Sequence, residues 1–274
     1  MKRKLALIMA LALTVGTVLT GCGKASDGAA QTSADNAQAA DGSDVAYIQE
    51  KGTLIVGITD FAPMDYKDES GEWIGFDADM ARIVAKKLGV EAQFVEIDWD
   101  NKIMELDSKN IDVVWNGMTL TSETTSAMEC SRPYCNNAQV IVVPDTADAE
   151  SADFVYAVEA GSAGEAAAND KGFQTNVVAS QADALMEVAA GTSDAAIIDL
   201  LMAGAMIGEG TSYPNMKHTD ELTTEEYGVG CRKGSDLAAY INTVFSESYA
   251  DGSMKETATT YGVQEALVEQ PQAE

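Results

Sequence analysis

The sequence predicts an α/β fold of two lobes, each a mainly parallel sheet flanked by helices. Three observations carry that expectation. Short β-rich apolar runs alternate with helical patterns, and the alternation comes in two series separated by a polar, acidic, small-residue stretch at residues 145–153. The foldable part, roughly residues 45–268, is larger than one typical core and smaller than two full domains, which suits lobes of about 100 residues each. Strand–helix alternation calls for parallel strands joined by right-handed crossovers.

The first series opens with residues 53–58, a short β-rich run, and continues through a turn-rich stretch containing Pro63, Asp68 and Gly71. Phe76, Met80, Ile83, Val84 and Leu88 then recur at three- and four-residue steps, so residues 76–88 are read as a helix, with Gly89 at its C-terminal cap. A strand at 92–95, a short helix at 102–106 and a strand at 111–115 follow, and another strand at 138–143 comes after the segment 119–128. The second series reads as strand 154–158, helix 164–169, strand 176–179, helix 182–190, strand 195–198 and helix 200–207. Residues 227–231 are expected as a returning strand, Leu237, Tyr240, Ile241, Val244 and Phe245 mark an amphipathic helix, and the C-terminal end, 269–274, reads as a polar tail. Ligands of open α/β sheets sit beyond the carboxyl ends of the strands, so two facing lobes would put their loops into one cleft.

The N-terminal end reads as an export signal. Met1-Lys2-Arg3-Lys4 is basic, residues 5–19 are almost unbroken apolar sequence at the short end for a bilayer span, and Leu19-Thr20-Gly21-Cys22 closes the run. Small residues followed by Cys22 fit a bacterial lipoprotein cleavage site, in which residues 1–21 are removed as signal peptide and the Cys22 thiol is acylated, with palmitate-type chains. Two chains anchor stably where one is marginal. The alternative is an ordinary signal peptide with a chance cysteine. Residues 24–43 are Ala, Ser, Gly, Asp, Gln and Asn-rich, without an aromatic residue or a period, so residues 22–44 are assigned to a lipidated, disordered tether. The expected location is the extracytoplasmic face of the cell membrane.

Charge and rare residues exclude several functions. The net charge of −27 includes three basic residues of the signal, so the mature chain stands near −30. Nucleic acid is not an expected partner, because phosphate binding needs clustered Lys and Arg. His218 is the single histidine, and Cys130, Cys135 and Cys231 show no metal-ligand spacing, which argues against a zinc site, a Ser-His-Asp triad or a Cys-His dyad. At most one disulfide can form within the mature chain. No metal and no cofactor are expected, and the protein is expected to be a monomer.

An ordered series of motifs carries a resemblance. Gly52-Thr53-Leu54-Ile55-Val56-Gly57, Pro63 and Tyr66, Gly71, Gly75-Phe76-Asp77 with Asp79, Leu88-Gly89, Trp99 with Leu106, Asp112, Asn116-Gly117-Met118-Thr119-Leu120-Thr121, and Ser131, Pro133 and Tyr134 fill the first half. Gly161-Ser162, Gly191-Thr192-Ser193-Asp194-Ala195 ending in Asp199, Tyr227-Gly228 and Lys233-Gly234 continue it. The chain resembles the bacterial extracellular solute-binding proteins, family 3, which serve polar amino-acid ABC transporters. That resemblance implies a periplasmic-binding-protein-like fold: lobe 1 from residues 45–143 plus 228–268, lobe 2 from 148–222, and a two-segment hinge at 144–147 and 223–227 that closes the lobes on a ligand.

The resemblance also implies a site. Phe61 and Trp99 fall where the family sandwiches its ligand, and aromatic rings suit that task; the alternative is that both are core. Trp115 points opposite to Asn116 on its strand and is as readily core. Asp199 matches the ammonium-binding aspartate, with an N-cap of the following helix as its alternative. The Gly117 carbonyl and Thr119 hydroxyl would complete the acceptors, and Asp60 would add another unless it serves a surface turn. Gly161, Ser162 and Ala163 match the turn whose N–H groups hold a carboxylate, or else form an ordinary strand-to-helix turn. The family usually places an arginine after Thr121-Ser122-Glu123, and here Thr124 stands instead, which lacks the guanidinium fork; an amino-acid carboxylate would then be held by Thr119, Thr124 and the Ser162 turn. Only Arg82, Arg132 and Arg232 remain in the mature chain, with Arg132 a possible substitute.

The expected function is therefore a non-catalytic receptor for a small polar molecule, an amino acid in the first instance, that hands its ligand to an ABC permease and ATPase complex. A carboxylate-free amine is the alternative ligand. An enzyme on this scaffold, a cyclohexadienyl dehydratase-like protein, is the alternative class, with Glu226 and Asp199 the acid–base candidates. A sensor without transport is a third.

Overall fold

The computed structural model describes residues 42–147, 151 and 153–272. The first described element is helix α1 (Asp44–Lys51), and it corrects the expected end of the tether at residue 44. Ser43 caps it by accepting the Ala46 N–H at 3.1 Å, and the Asp44 carboxylate accepts hydrogen bonds from Arg232 at 3.0 and 3.1 Å. A cap and a buried ion pair draw residues into the fold that their composition alone would leave outside it. Cys22 and the rest of the expected signal and tether up to residue 41 lie outside the described residues.

The first lobe then runs through β1 (Thr53–Ile58), β2 (Tyr66–Lys67), β3 (Trp73–Ile74), α2 (Phe76–Leu88), β4 (Glu91–Glu96), α3 (Lys102–Asp107), β5 (Val113–Val114), α4 (Ser122–Ala127) and β6 (Glu129–Cys130). Helix α2 buries Phe76, Met80, Val84 and Leu88, the face its spacing predicts, and Gly89 closes it in the left-handed conformation. The next strands are β7 (Cys135–Asn137) and β8 (Gln139–Pro144). The second series follows as β9 (Val155–Glu159), α5 (Ala163–Lys171), β10 (Gln174–Val178), α6 (Gln181–Ala190), β11 (Ala195–Asp199), α7 (Leu200–Met206) and β12 (Met216–Glu221). The chain returns through β13 (Glu225–Tyr227) and β14 (Gly230–Cys231) and ends with α8 (Leu237–Ala250) and α9 (Ser253–Thr260).

Two five-stranded mixed sheets result, in the orders β4-β1-β5-β14-β6 and β10-β9-β11-β8-β12. Each has a parallel trio, β4-β1-β5 in one and β10-β9-β11 in the other, extended by an antiparallel pair of strands. Both lie within one compact unit, Ala39–Glu274. Between them runs a short ladder in which β13 pairs antiparallel with β7.

That topology corrects three boundaries. Strand β8 belongs to the second sheet, hydrogen-bonded to β11 and β12, so residues 139–143 leave lobe 1 and the chain crosses at β7 and β13, not at 144–147. Burial on both faces explains it, since Val140, Ile141, Val142 and Val143 need two neighbouring strands and cover above and below. The returning strand expected at 227–231 is broken: Tyr227 pairs with Cys135 in the ladder and Gly230 with Val114 in the first sheet. The C-terminal tail is docked to residue 270, where Val268 N–H donates to the Tyr134 carbonyl at 2.9 Å and the Gln270 amide, 5% exposed, donates to the Pro133 carbonyl at 2.9 Å. Pairing with the exposed side of β7 satisfies backbone that would otherwise be an open edge.

Trp115 is core, its ring 5.7 Å from Phe245 and 6.5 Å from Tyr134. Cys130, Cys135 and Cys231 are free thiols. Among the described residues no helix is long and apolar enough to cross a membrane.

Candidate functional site

The loops that leave the carboxyl ends of β4, β5, β9 and β11 converge on one cleft between the sheets, as strand-end geometry requires. Trp99, Gly117, Thr119, Thr124, Gly161, Ser162 and Asp199 all line it. The lobes meet across it: Lys102 Nζ, from the first lobe, donates to the Gly161 carbonyl of the second at 2.9 Å.

Asp199 ends β11 and stands at the N-cap of α7, yet its side chain makes no cap hydrogen bond. It turns into the cleft instead. Oδ1 accepts from Gln139 Nε2 at 2.8 Å, from Tyr227 OH at 2.8 Å and from Asn137 Nδ2, while Oδ2 accepts from Gln181 Nε2. Asn137 and Gln139 donate equally to Glu225, at 2.6 and 2.7 Å, so two carboxylates share two amides. Burial, reinforced by Glu225, pushes the Asp199 carboxyl well above the usual range. Its Oδ2, which accepts from Gln181 alone among the described side chains, retains acceptor capacity, and a cation placed in the cleft that Asp199 lines would offset both causes.

Gly117 carries the floor. Its φ of +56° suits glycine, and a Cβ would stand 2.3 Å from Phe61 Cε1, so the backbone approaches the cleft with Phe61 packed directly beneath. Buried Asp77 fixes that backbone, accepting the Gly117 N–H and the Tyr134 hydroxyl, each at 2.7 Å. Burial pushes the Asp77 carboxyl up to about 7 against those two bonds. Thr119 lines the cleft next to this turn.

Ser162 caps α5, accepting the Glu165 N–H at 3.1 Å, and the Gly161 N–H is taken by Glu165 Oε2 at 2.7 Å. Ala163, also in the lining, is the first residue of α5, where helix geometry leaves N–H groups without an intrahelical acceptor.

Three expected site residues are placed differently. Phe61 is buried against Tyr227, with ring centroids 6.3 Å apart, and lies under the floor, outside the lining. Asp60 is exposed and lines a neighbouring cavity with Glu96, Asp98 and Asp183. Thr124 lines the cleft, but its hydroxyl is held within the cap of α4, accepting the Thr121 N–H at 2.8 Å and donating to the Thr119 carbonyl at 3.0 Å. One hydroxyl has one proton to donate, and here it is used locally. Among the described residues no arginine substitutes: Arg82 bonds Asp79 and Trp73, Arg132 bonds Asn242 and Ser246, and Arg232 bonds Asp44 and Asp112. Glu226 is exposed, on β13 and outside the lining.

Sequence reasoning missed Lys102, Glu159 and Gln181, all in the lining. Glu159 is the last residue of β9, and the same strand-end rule that singles out Asp199 would have found it. It is 3% exposed, its Oε1 has no hydrogen-bond partner, and burial pushes its carboxyl up to about 8 despite hydrogen bonding by Thr59 and Gln181.

Two α/β lobes closing strand-end loops around a polar cleft define a ligand-capturing protein. The chain belongs to the bacterial extracellular solute-binding proteins, family 3, whose model matches residues 54–264. The L-cystine-binding protein TcyJ of Escherichia coli K12 is 29% identical over 219 residues, 76% of this chain and 82% of its own length. A solved structure of a mutant ArgBP from T. maritima is 31% identical, with a TM-score of 0.75 over 80% of this chain and 98% of that one. The ancestral amino acid-binding protein AncCDT-1, described as a precursor of cyclohexadienyl dehydratase, is 31% identical, with a TM-score of 0.72 over 80% of this chain and 99% of that one.

Proposed function

We propose that this protein is an extracytoplasmic, lipid-anchored receptor that captures one amino acid between its lobes and presents it to an ABC permease. The observation that carries the reading is the Asp199 carboxylate in the cleft, released from helix capping and held by four side-chain donors. Such a carboxylate, buried with remaining acceptor capacity, suits an α-ammonium. The start of α5 supplies N–H groups for the opposite, anionic end. Names of relatives agree, one being an L-cystine-binding protein and another an arginine-binding extracellular protein. Hinged closing of the lobes over the ligand would create the surface a permease recognises.

A carboxylate-free amine is favoured by one observation: the cleft lining holds three carboxyl groups, Glu123, Glu159 and Asp199, and Thr124 has no free donor. Catalysis is the less supported class, because the exposed Glu226 stands outside the cleft lining and the carboxyl paired with Asp199, that of Glu225, is itself held by the Asn137 and Gln139 amides. Isothermal titration against L-amino acids including cystine, and against agmatine, histamine, cadaverine and cystamine, tests the reading. One-to-one binding of an amino acid is expected; silence across both panels defeats the receptor, and turnover of prephenate would replace it with an enzyme.

A further inference from the structure

Among the described residues, Lys102 is the one cationic side chain in the lining of the cleft. It opens α3, three residues after Trp99, and is 8% exposed. Nζ donates to the Trp99 carbonyl at 3.2 Å and to the Gly161 carbonyl at 2.9 Å, and it lies 4.9 Å from the centre of the Trp99 ring. An ammonium has three N–H donors, so one remains. Its two partners are neutral carbonyls, and it forms no ion pair with a described residue.

A buried cation without a counter-ion is costly, and a well-placed anion relieves the cost. Burial accordingly lowers the Lys102 pKa, against the pull of Glu123, Glu159, Asp100 and Glu165. The carbonyl that Lys102 grips belongs to Gly161, beside Ser162 and the start of α5, where the amino-acid reading puts the carboxylate. On the other side stands Thr124, whose hydroxyl is held by the α4 cap, and all three arginines of the mature fold are bonded elsewhere.

We propose that Lys102 holds the ligand's carboxylate, supplying from α3 the positive charge that position 124 lacks, and so makes the receptor selective for amino acids over the corresponding amines. The assignment deepens the amino-acid reading and rests on it. Because Lys102 also bridges the lobes, charge neutralisation by the ligand would strengthen the same contact that closes the cleft.

The test compares wild type, Lys102→Met and Lys102→Arg by titration, using the tightest-binding amino acid of the panel and its decarboxylated amine. Expected is a loss of roughly 10- to 100-fold for the amino acid in Lys102→Met, with the amine changed by no more than about threefold and the amino acid largely rescued in Lys102→Arg. Equal losses for both ligands would make Lys102 a lobe latch only and overturn the proposal, as would an unchanged amino-acid affinity in Lys102→Met. Wild-type protein that binds the amine but no amino acid overturns it while leaving a receptor. Wild-type protein that binds neither removes the receptor reading itself, and Lys102 with it. Melting curves of the ligand-free variants check folding; Lys102→Met is expected to melt no lower than wild type, since the substitution removes a buried unpaired charge.

Discussion

Gly161 of the second lobe lies directly against Asp100 of the first: a Cβ added at Gly161 would stand 2.8 Å from the Asp100 Cα. The φ of Gly161 is +67°, so both local conformation and lobe contact favour glycine. Gly161→Ala should therefore hinder closure more than folding. Overpacking of this kind costs about 1–3 kcal/mol, or roughly 5- to 150-fold in ligand affinity, with little change in the melting of the ligand-free protein. Titration and calorimetry on the variant check it, and unchanged affinity would remove the lobe contact from the binding step.

Asp199→Asn tests the ammonium acceptor. Losing a charged hydrogen bond should weaken amino-acid binding by about 1.5–3 kcal/mol. Because burial and Glu225 already oppose ionisation of Asp199, the ligand-free variant should melt at or above the wild-type temperature. A variant that binds normally would relegate Asp199 to the β7–β13 junction.

Stability should fall with rising pH. Burial raises Glu159 from 4.5 to about 8 and Asp77 from 3.8 to about 7, so the folded protein holds these protons more tightly than the unfolded chain. The stabilisation is complete below the unfolded values and is lost as pH climbs through about 4 to 8. Glu159 faces Lys102, which opposes its shift, and Asp183, which adds to it, as well as Thr59 and Gln181. The melting temperature of ligand-free protein is expected to drop between pH 5 and pH 8, with a shallower drop in Glu159→Gln; identical slopes would place the titration elsewhere.

The ion pair at the start of the fold has its own consequence. Asp44→Ala leaves the buried Arg232 with carbonyl partners at Ile111 and Leu106 and, as its remaining ion pair among the described residues, the longer 3.4 Å contact to Asp112, and up to about 3 kcal/mol of stability should be lost. Denaturant melts of proteins starting at residue 42 measure it, and a neutral effect would return Asp44 to the tether.

Acylation of Cys22 is tested in cells. Labelled palmitate should enter wild-type protein and not Cys22→Ala, and the variant should leave the membrane fraction, because a single missing thiol removes every chain attached through it.

Much of the fold was legible because it rests on local periodicity. The bounds of β1 and α2 are those the spacing of residues 53–58 and 76–88 predicts, and the helices at 182–190 and 200–207 fall within a residue of α6 and α7. Strand 139–144 was legible as a strand but assigned to the wrong lobe. Its uniform apolar character demands two neighbours and cover on both faces, and sequence does not say which neighbours.

By itself the sequence determined that strands and helices alternate and that no arginine follows Glu123, and its motif order, through the family resemblance, singled out Trp99, Thr119, Ser162 and Asp199 as candidates. Those properties depend on residue type, on spacing along the chain and on motif order, which linear text carries. The tertiary structure alone decided that Phe61 is floor and not wall, that the Thr124 hydroxyl is already used, and that Lys102 enters the cleft. Each of these depends on which groups from distant segments come within hydrogen-bond or packing distance, and such distances exist only once the two lobes are folded against each other.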